Sequence, residues 1–297
     1  MAFKSSETTT GRSIIILAGQ SGAGKSFAAA TASKHFPHAR VEQLMALSET
    51  KGAAAVIEAL KPMPWVQLND VAWIPVDVGA LDGLRAFKIG VPFVPYDDLI
   101  AGALDVSAKG QPDMVKVANG IITELEAGIK ATPEIEFIVL DTLSNLDLAI
   151  GTWAGMKFPR PLNFDQMQGV HKMLFHRLYA LRKNMIVCSH LKALTSPLDL
   201  GNEQLLRDQK LKIEALKMTG GGKLTLNLNP QIKQLWQGNA AHFGVEAKRD
   251  DSGKMTRMLL TEAESMSGME ARVRQEILLD TREKVDLRAL LVRMEKI

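Results

Sequence analysis

Short apolar runs alternate along the chain with longer segments whose apolar positions recur at helical spacing. Residues 14–17, 137–140 and 185–188 are continuous apolar runs, as in strands that are buried on both faces. Residues 114–130 and 164–184 carry the helical period, which predicts two long amphipathic helices. Strands that alternate with helices predict an α/β fold whose sheet is mainly parallel, with right-handed crossovers and helices on both faces.

The remaining elements complete this picture. The alanine-rich residues 53–60 predict a helix ended by two prolines, and residues 71–77 predict a strand that leads into a turn. After residue 190 the pattern changes, because residues 223–228, 234–250 and 254–263 are typical of neighbouring antiparallel strands. Residues 285–297 predict a closing helix. Residues 1–12 predict a flexible tail, and residues 13–297 a single domain.

The first apolar run leads directly into a glycine-rich turn and then an alanine-rich helix. Gly19, Gly24, Lys25 and Ser26 fit the pattern G-x-x-x-x-G-K-[ST] in the strand-turn-helix context that this phosphate-binding motif requires. Lys25 would reach the β- and γ-phosphates, and Ser26 would hold Mg²⁺. The motif predicts ATP and Mg²⁺ as cofactors and a nucleotide contact from Gly19, Gln20, Ser21, Gly22, Ala23, Gly24, Lys25, Ser26 and Phe27. The alternative is a glycine-rich turn whose lysine is only solvated.

Polar residues follow other predicted strands. Asp141 ends the apolar run 137–140, so we expect it to share the metal with Ser26. The next residue is Thr142 and not a glutamate that could act as the catalytic base, so the base must lie at another position. Asp77 is the first candidate and Glu49 the second, although Asp77 could equally be a turn or cap residue. His190 ends the run from residue 185, where it would contact the γ-phosphate unless the backbone satisfies it.

Composition narrows the setting without deciding the function. A net charge of +3 over 297 residues permits a polyanionic partner but does not require one. The one cysteine, Cys188, excludes an internal disulfide and favours a reducing compartment. His171 and His176, five residues apart, would diverge on a helix, so we expect no structural metal. The first apolar run is too short for a signal peptide or a membrane span, which predicts a soluble cytoplasmic protein.

The order of these parts resembles RecA-like P-loop ATPases, in particular the compact phage-encoded group related to single-strand annealing and recombination proteins. The resemblance covers roughly residues 13–291 and rests most specifically on the phosphate loop and on "FIVLD" ending at Asp141. It implies a RecA-like ATPase domain, a homo-oligomeric ring or filament, and the host cytoplasm for a phage-encoded chain. The glutamate that usually follows the second strand in that family is not obvious, and this is a departure from the family's pattern.

The resemblance also implies a nucleic-acid contact and a shared active site. The segment after His190 would bind single-stranded DNA through Lys192, Lys210, Lys212, Lys217 and Lys223, although acidic residues between them also fit a solvated helix face. Arg272 and Arg274 would reach the ATP of a neighbouring subunit, or else are solvent arginines. Residues 151–164 predict a loop whose aromatic and cationic residues either stack on bases or pin the loop itself.

The sequence therefore predicts an oligomeric, DNA-stimulated ATPase of phage recombination, annealing or replication. The alternative function is a P-loop ATPase that acts on a protein partner, as a helicase loader or a packaging component does. A small-molecule kinase would need an acceptor pocket and an arginine-rich lid, which the sequence does not clearly supply.

Overall fold

The fold is an α/β arrangement of one large sheet and flanking helices. A computed structural model describes residues 13–77, 79–193, 224–238, 240–249, 255–261 and 282–294. The strands in these ranges are β1 (Ile14–Gly19), β2 (Val66–Gln67), β3 (Val71–Pro75), β4 (Ile89–Gly90), β5 (Leu104–Asp105), β6 (Gln111–Pro112), β7 (Phe137–Asp141), β8 (Asn184–Ala193), β9 (Leu224–Leu226), β10 (Ala241–Arg249), β11 (Met255–Leu260) and β12 (Arg282–Lys284). The helices are α1 (Lys25–Ala30), α2 (His38–Leu60), α3 (Asp82–Arg85), α4 (Tyr96–Gly102), α5 (Met114–Ala131), α6 (Leu143–Lys157), α7 (Leu162–Ala180), α8 (Pro230–Gln237) and α9 (Leu287–Arg293).

The main sheet has eight strands in the order β12-β11-β10-β1-β8-β7-β3, and β9 pairs with β8 away from this path. The strands from β10 to β3 run parallel to their neighbours, whereas β9, β11 and β12 pair antiparallel. The register sets Cys188 of β8 opposite both Leu17 of β1 and Asp141 of β7. The prediction of a mainly parallel sheet is confirmed. The carboxyl ends of its parallel strands, where ligands bind in such sheets, therefore share one edge.

Two apolar layers cover the two faces of the sheet. Ile16 and Ile138 belong to the layer that includes Ile121 of α5. Ile15 and Phe243 belong to the other layer, which includes α1 and α9. Because the central strands are buried on both sides, their sequences are continuous apolar runs and do not alternate.

Local signals in the sequence set the helix boundaries. Asp113 caps α5, since its carboxylate accepts hydrogen bonds from the backbone N–H groups of Val115 (3.0 Å) and Lys116 (3.3 Å). Helix α2 ends before Pro62, as the sequence predicts, but it begins at His38 and is broken at Gly52, where φ is +78°. That left-handed conformation is one that glycine adopts without steric cost.

The predicted closing helix is α9, and polar contacts fasten it to the base of the sheet. The backbone N–H of Leu287 donates to Thr31 Oγ1 at 2.8 Å. Arg288 Nη1 contacts Glu136 Oε2 at 3.2 Å and lies 3.9 Å from the buried Asp70. None of the helices in the described ranges combines the length and the apolarity needed to cross a membrane.

The structure overturns the prediction that residues 151–164 form a loop. Residues 151–157 complete α6 and residues 162–164 begin α7, because Ile150, Trp153 and Ala154 recur at helical spacing and pack into the core. Trp153 is 1% exposed and meets Phe158 edge-on, with ring centroids 5.5 Å apart. Trp153 is thus a core residue, and its ring has no face available to stack on a base.

Two further strand predictions are wrong in part. Residues 234–250 are not one antiparallel strand: Asn229 and Pro230 begin α8, and β10 follows it as a parallel neighbour of β1. Ile232 and Trp236, four residues apart, bury one face of α8, which is a helical pattern inside a segment read as strand. Strand β8 does not end at His190 but continues to Ala193, where it pairs with β9.

Candidate functional site

The glycine-rich turn between β1 and α1 forms the centre of the site. Gly24 has φ of +96°, a backbone conformation that side chains with a Cβ rarely adopt. A Cβ on Gly19 would lie 2.7 Å from the carbonyl oxygen of Val245, so the turn also passes too close to β10 for any larger residue. The two glycines that the motif specifies are therefore required by the shape of this loop.

The Lys25 side chain folds back into the loop. Its Nζ donates to the carbonyl oxygens of Gly19 (3.2 Å) and Gln20 (2.9 Å) and lies 3.3 Å from Nδ1 of His190. Only 5% of Lys25 is exposed, and burial lowers its pKa. Buried charges in proteins are normally paired with an opposite charge, so an ammonium group held by carbonyl oxygens can bind an anion next to this turn.

Ser26 and Asp141 meet across the junction between α1 and β7. Ser26 Oγ donates to Asp141 Oδ2 at 2.6 Å. Asp141 is 1% exposed, and burial raises its pKa, although the hydrogen bond from Ser26 and the charge of Lys25 oppose the shift. A hydroxyl and a carboxylate at this separation are an oxygen-ligand pair that suits a hard cation such as Mg²⁺. The predicted pairing of these two residues is thus present in the structure.

Asp77 and His190 extend the site on the side of Asp141. The backbone N–H of Asp77 donates to the Asp141 carbonyl oxygen at 3.0 Å, which fixes Asp77 just beyond β3. His190 Nε2 lies 3.5 Å from Asp77 Oδ2. Burial, and then the charge of Lys25, lower the pKa of His190, so its ring is neutral near pH 7. Since Lys25 can only donate to Nδ1, the ring proton is on Nε2 and points at Asp77.

The backbone of His190 is held on both sides. Its N–H donates to Ser144 Oγ at 2.9 Å, and its carbonyl oxygen accepts from the N–H of Asn227 at 2.8 Å. Ser144 Oγ also lies 3.0 Å from Ser189 Oγ. These contacts tie the histidine to the first turn of α6 and to the start of the β8–β9 ribbon. Sequence reasoning missed Ser144, which has no motif of its own.

A cavity of about 980 Å³ joins these groups. Lys25, Ser26, Asp77, Asp141 and His190 line its polar end. The opposite wall is largely apolar and comes from α2, α3 and the start of α1; it consists of Phe27, Leu44, Met45, Ala53, Val56, Ile57, Leu60, Ala86 and Phe87. A large cavity with a few convergent polar groups at one end is typical of a small-molecule site.

Other predicted site residues occupy varied positions. Ser21 and Gly22 line the cavity, whereas Ala23 is buried beneath the turn. Glu49, the second candidate for the base, lies on the α2 wall.

Lys192 belongs to β8. Four predicted DNA contacts, Lys210, Lys212, Lys217 and Lys223, lie outside the described residues, as do Arg272, Arg274 and the predicted tail 1–12. Those predictions remain predictions.

One cation of the cavity was not predicted at all. Arg257 of β11 lines the cavity, and its Cδ and Nε atoms lie 2.9 Å from the position that a Cβ on Gly24 would occupy. The signal in the sequence is weak: Arg257 stands two residues before the buried Leu259, so both share one face of a strand. The two-residue spacing shows only that Arg257 and Leu259 share a face of the strand. That this face lies toward the glycine-rich turn follows from the pairing of β11 with β10, which the sequence does not show.

Comparison with known proteins adds no family to this description. No protein-family model matches the chain, and no curated protein is significantly similar to it in sequence.

Proposed function

We propose that this chain binds a nucleoside triphosphate, as its Mg²⁺ complex, and hydrolyses the terminal phosphoanhydride. The observation that carries the proposal is the 2.6 Å contact between Ser26 Oγ and Asp141 Oδ2, beside a lysine held in a glycine-rich loop. Motif and geometry agree, although 115 residues separate the serine from the aspartate. ATP is the proposed nucleotide, and the apolar wall provides the surface against which a nucleoside would pack.

Each polar group has a distinct role in this proposal. Ser26 and Asp141 would hold Mg²⁺, which neutralises charge on the phosphate oxygens when it is bound. Lys25 exchanges its contacts with backbone carbonyl oxygens for contacts with the β- and γ-phosphates. Its charge then stabilises the negative charge that develops on the leaving β-phosphate oxygen.

Asp77 is the proposed general base. It accepts a proton from a water molecule while the water oxygen bonds to the γ-phosphorus, the bond to the bridging oxygen breaks, and the nucleoside diphosphate leaves. His190 orients Asp77 through Nε2–H and lies beside Lys25, so it can register whether a γ-phosphate is present. Its neutral ring avoids a second positive charge next to Lys25.

The test compares the parent with Lys25→Ala and Asp141→Asn, using Lys61→Ala as a matched surface control because that lysine is largely exposed. Lys25→Ala should lose nucleotide binding or turnover without unfolding. Asp141→Asn should keep some nucleotide binding and lose turnover that depends on Mg²⁺. Parental ATP hydrolysis by Lys25→Ala, or unchanged Mg²⁺ dependence of Asp141→Asn, would contradict the assignment.

The RecA-like assignment and the DNA partner are further parts of the proposal. They are supported by the order of parts along the chain and by the adjacency of β1, which leads into the turn before Lys25, to β8 and β7, which carry His190 and Asp141. Strands β8 and β9 pair directly beyond His190, and the last pair, Ala193 and Leu224, consists of the residues that flank the lysine-bearing segment 194–223. Single-stranded DNA is the proposed ligand of that segment, and assembly into a homo-oligomer would bring Arg272 or Arg274 to a neighbouring site.

The partner is tested by the rate of ATP hydrolysis with and without single-stranded DNA at several salt concentrations. Replacing Lys210, Lys212 and Lys217 by alanine should weaken binding to all sequences alike, and each lost phosphate contact should reduce the log-log salt slope by about 0.7. A parental slope in that triple variant would favour the alternative, a P-loop ATPase that acts on a protein partner, as a helicase loader or a packaging component does.

A further inference from the structure

Arg257 reaches the phosphate loop from the opposite side to Asp77 and His190. In the order β11-β10-β1-β8-β7-β3, Arg257 lies two strands from β1 on one side, whereas His190 and Asp77 lie on the other. Its strand pairs antiparallel with β10, and Ala247 is the residue opposite it. Arg257 therefore points to the same face as the buried Leu259, which packs in the layer that contains α1.

The arginine side chain packs directly on the loop. Its Cδ and Nε atoms come within 2.9 Å of the space that a Cβ on Gly24 would fill, so the stem of Arg257 occupies the position left free by that glycine. Gly24 is the residue immediately before Lys25. The guanidinium is thereby held close to the groups that would cradle a phosphate chain.

The Nε–H group of Arg257 is buried and has no hydrogen-bond acceptor among the residues that the structure describes. A buried donor without an acceptor is destabilising, and more so on a charged group, so most buried donors in folded proteins have a hydrogen-bond partner. Lys25 and Arg257 are the two Lys or Arg residues among the described residues that line the cavity. The carboxylates that line it, Glu49, Asp77 and Asp141, belong to other walls of the cavity.

We infer that Arg257 binds an oxygen of the nucleotide's phosphate chain in the same chain's own site. The inference rests on the proposed function and adds to it a second cation, which approaches the loop from the side opposite to Asp77 and His190. A planar guanidinium offers several N–H donors in a fixed fork that matches phosphate oxygens. Lys25 and Arg257 then hold the chain of phosphates from two sides.

This residue differs in kind from the arginines that would act between subunits. A contact made within one chain persists when the protein is diluted to monomers, whereas a contact from a neighbour is lost. Arg257 should therefore contribute to nucleotide affinity in a single chain, whatever the oligomeric state of the protein.

The experiment measures ATP and ADP affinity by isothermal titration for the parent, Arg257→Met, Arg257→Lys and the control Arg85→Ala. Methionine keeps an unbranched apolar stem against Gly24 and removes the guanidinium, so affinity should fall on the order of 10- to 100-fold for both nucleotides. Lysine keeps the charge without the fork and should recover part of the affinity. Arg85→Ala removes the same charge from an exposed pair with Asp82 and should bind like the parent.

The outcomes separate this inference from the proposed function. If the parent binds neither ATP nor ADP, the proposed function and this inference both fail. If the parent binds nucleotide and needs Lys25 to do so, but Arg257→Met binds equally well, only this inference fails. If Arg257→Met does not fold, the affinity of Arg257→Lys provides the test. An affinity equal to that of the parent would then exclude a role for the forked N–H donors of the guanidinium. Mixing Lys25→Ala with Arg257→Met must restore no tight binding, since each chain lacks a part of its own site, and recovery would show that Arg257 acts on a neighbour.

Discussion

Replacing Asp141 by asparagine separates the effect of this residue on the fold from its effect on the site. Asparagine has nearly the same shape, and its Oδ1 can still accept the hydrogen bond from Ser26. What it removes is a carboxylate that is almost fully buried. Because burial raises the pKa of Asp141 more than Ser26 and Lys25 lower it, the ionised form destabilises the folded chain in the absence of metal and nucleotide. Asp141→Asn should therefore be more stable than the parent under those conditions.

The sign and size of the effect follow from proton linkage. Between the ordinary carboxyl pKa of 3.8 and the raised pKa in the folded chain, the unfolded state has released a proton that the folded state keeps. The stability of the parent therefore falls as pH rises through this interval, by about 1.4 kcal/mol for each unit of pKa difference, and then levels off. The asparagine variant lacks this loss. Its advantage should be absent at low pH and largest near neutral pH, where it amounts to about 1.4 kcal/mol for each unit by which folding raises the pKa of Asp141.

Urea unfolding from about pH 4 to pH 8 with a chelator present measures this difference. The control is Asp82→Asn, because Asp82 is an exposed carboxylate whose removal should change stability by less than about 0.5 kcal/mol. Adding Mg²⁺ and ATP should stabilise the parent and leave Asp141→Asn much less affected. An asparagine variant that is less stable than the parent at neutral pH, or whose advantage does not change with pH, would refute the reasoning.

Other substitutions test separate parts of the structure. Asp70→Ala removes a buried carboxylate that accepts from Ser33 Oγ at 2.5 Å, and it should lower the unfolding free energy by about 3–5 kcal/mol in chemical denaturation; a loss below 1 kcal/mol would contradict the burial of this contact. Asp77→Asn should reduce ATP turnover by about 10²- to 10⁴-fold while titrations show unchanged ATP affinity, and parental turnover would remove Asp77 as the base. Trp153→Ala should cost about 3–5 kcal/mol of stability, whereas parental stability with impaired DNA binding would instead place this ring at a nucleic-acid surface.

The parts of the site that the sequence predicts are those whose signal is local. Gly19, Gly24, Lys25 and Ser26 stand within eight residues, and the strand before them and the helix after them are visible in the same window. Asp141 is predicted for a similar reason, since an apolar run that stops at a carboxylate marks a strand end whatever lies next to it. The structure adds the distance between Ser26 and Asp141, which depends on β8 lying between β1 and β7.

The parts that could not be predicted depend on which strands become neighbours. β10 has the composition of an antiparallel strand, and it does pair antiparallel with β11, but its other edge pairs parallel with β1. Only that second pairing brings Arg257 to Gly24. The loop prediction for residues 151–164 failed for a different reason: it interpreted Trp153 as one of the aromatic residues of an irregular segment, whereas the burial of Trp153 favours helix up to Lys157.

Burial shifts the pKa values of the two central ionisable groups of the site in opposite directions, so the proposed nucleotide binding should depend on pH. The pKa of Lys25 is lowered and that of Asp141 is raised, so burial favours the neutral form of both. Phosphate oxygens favour the charged lysine, and Mg²⁺ favours the ionised carboxylate. We therefore expect the affinity for the proposed Mg²⁺–nucleotide complex to fall as pH drops through the raised pKa of Asp141, and to fall again as pH rises through the lowered pKa of Lys25. The pH range of tight binding is accordingly narrower than the ordinary pKa values of 3.8 and 10.5 would allow.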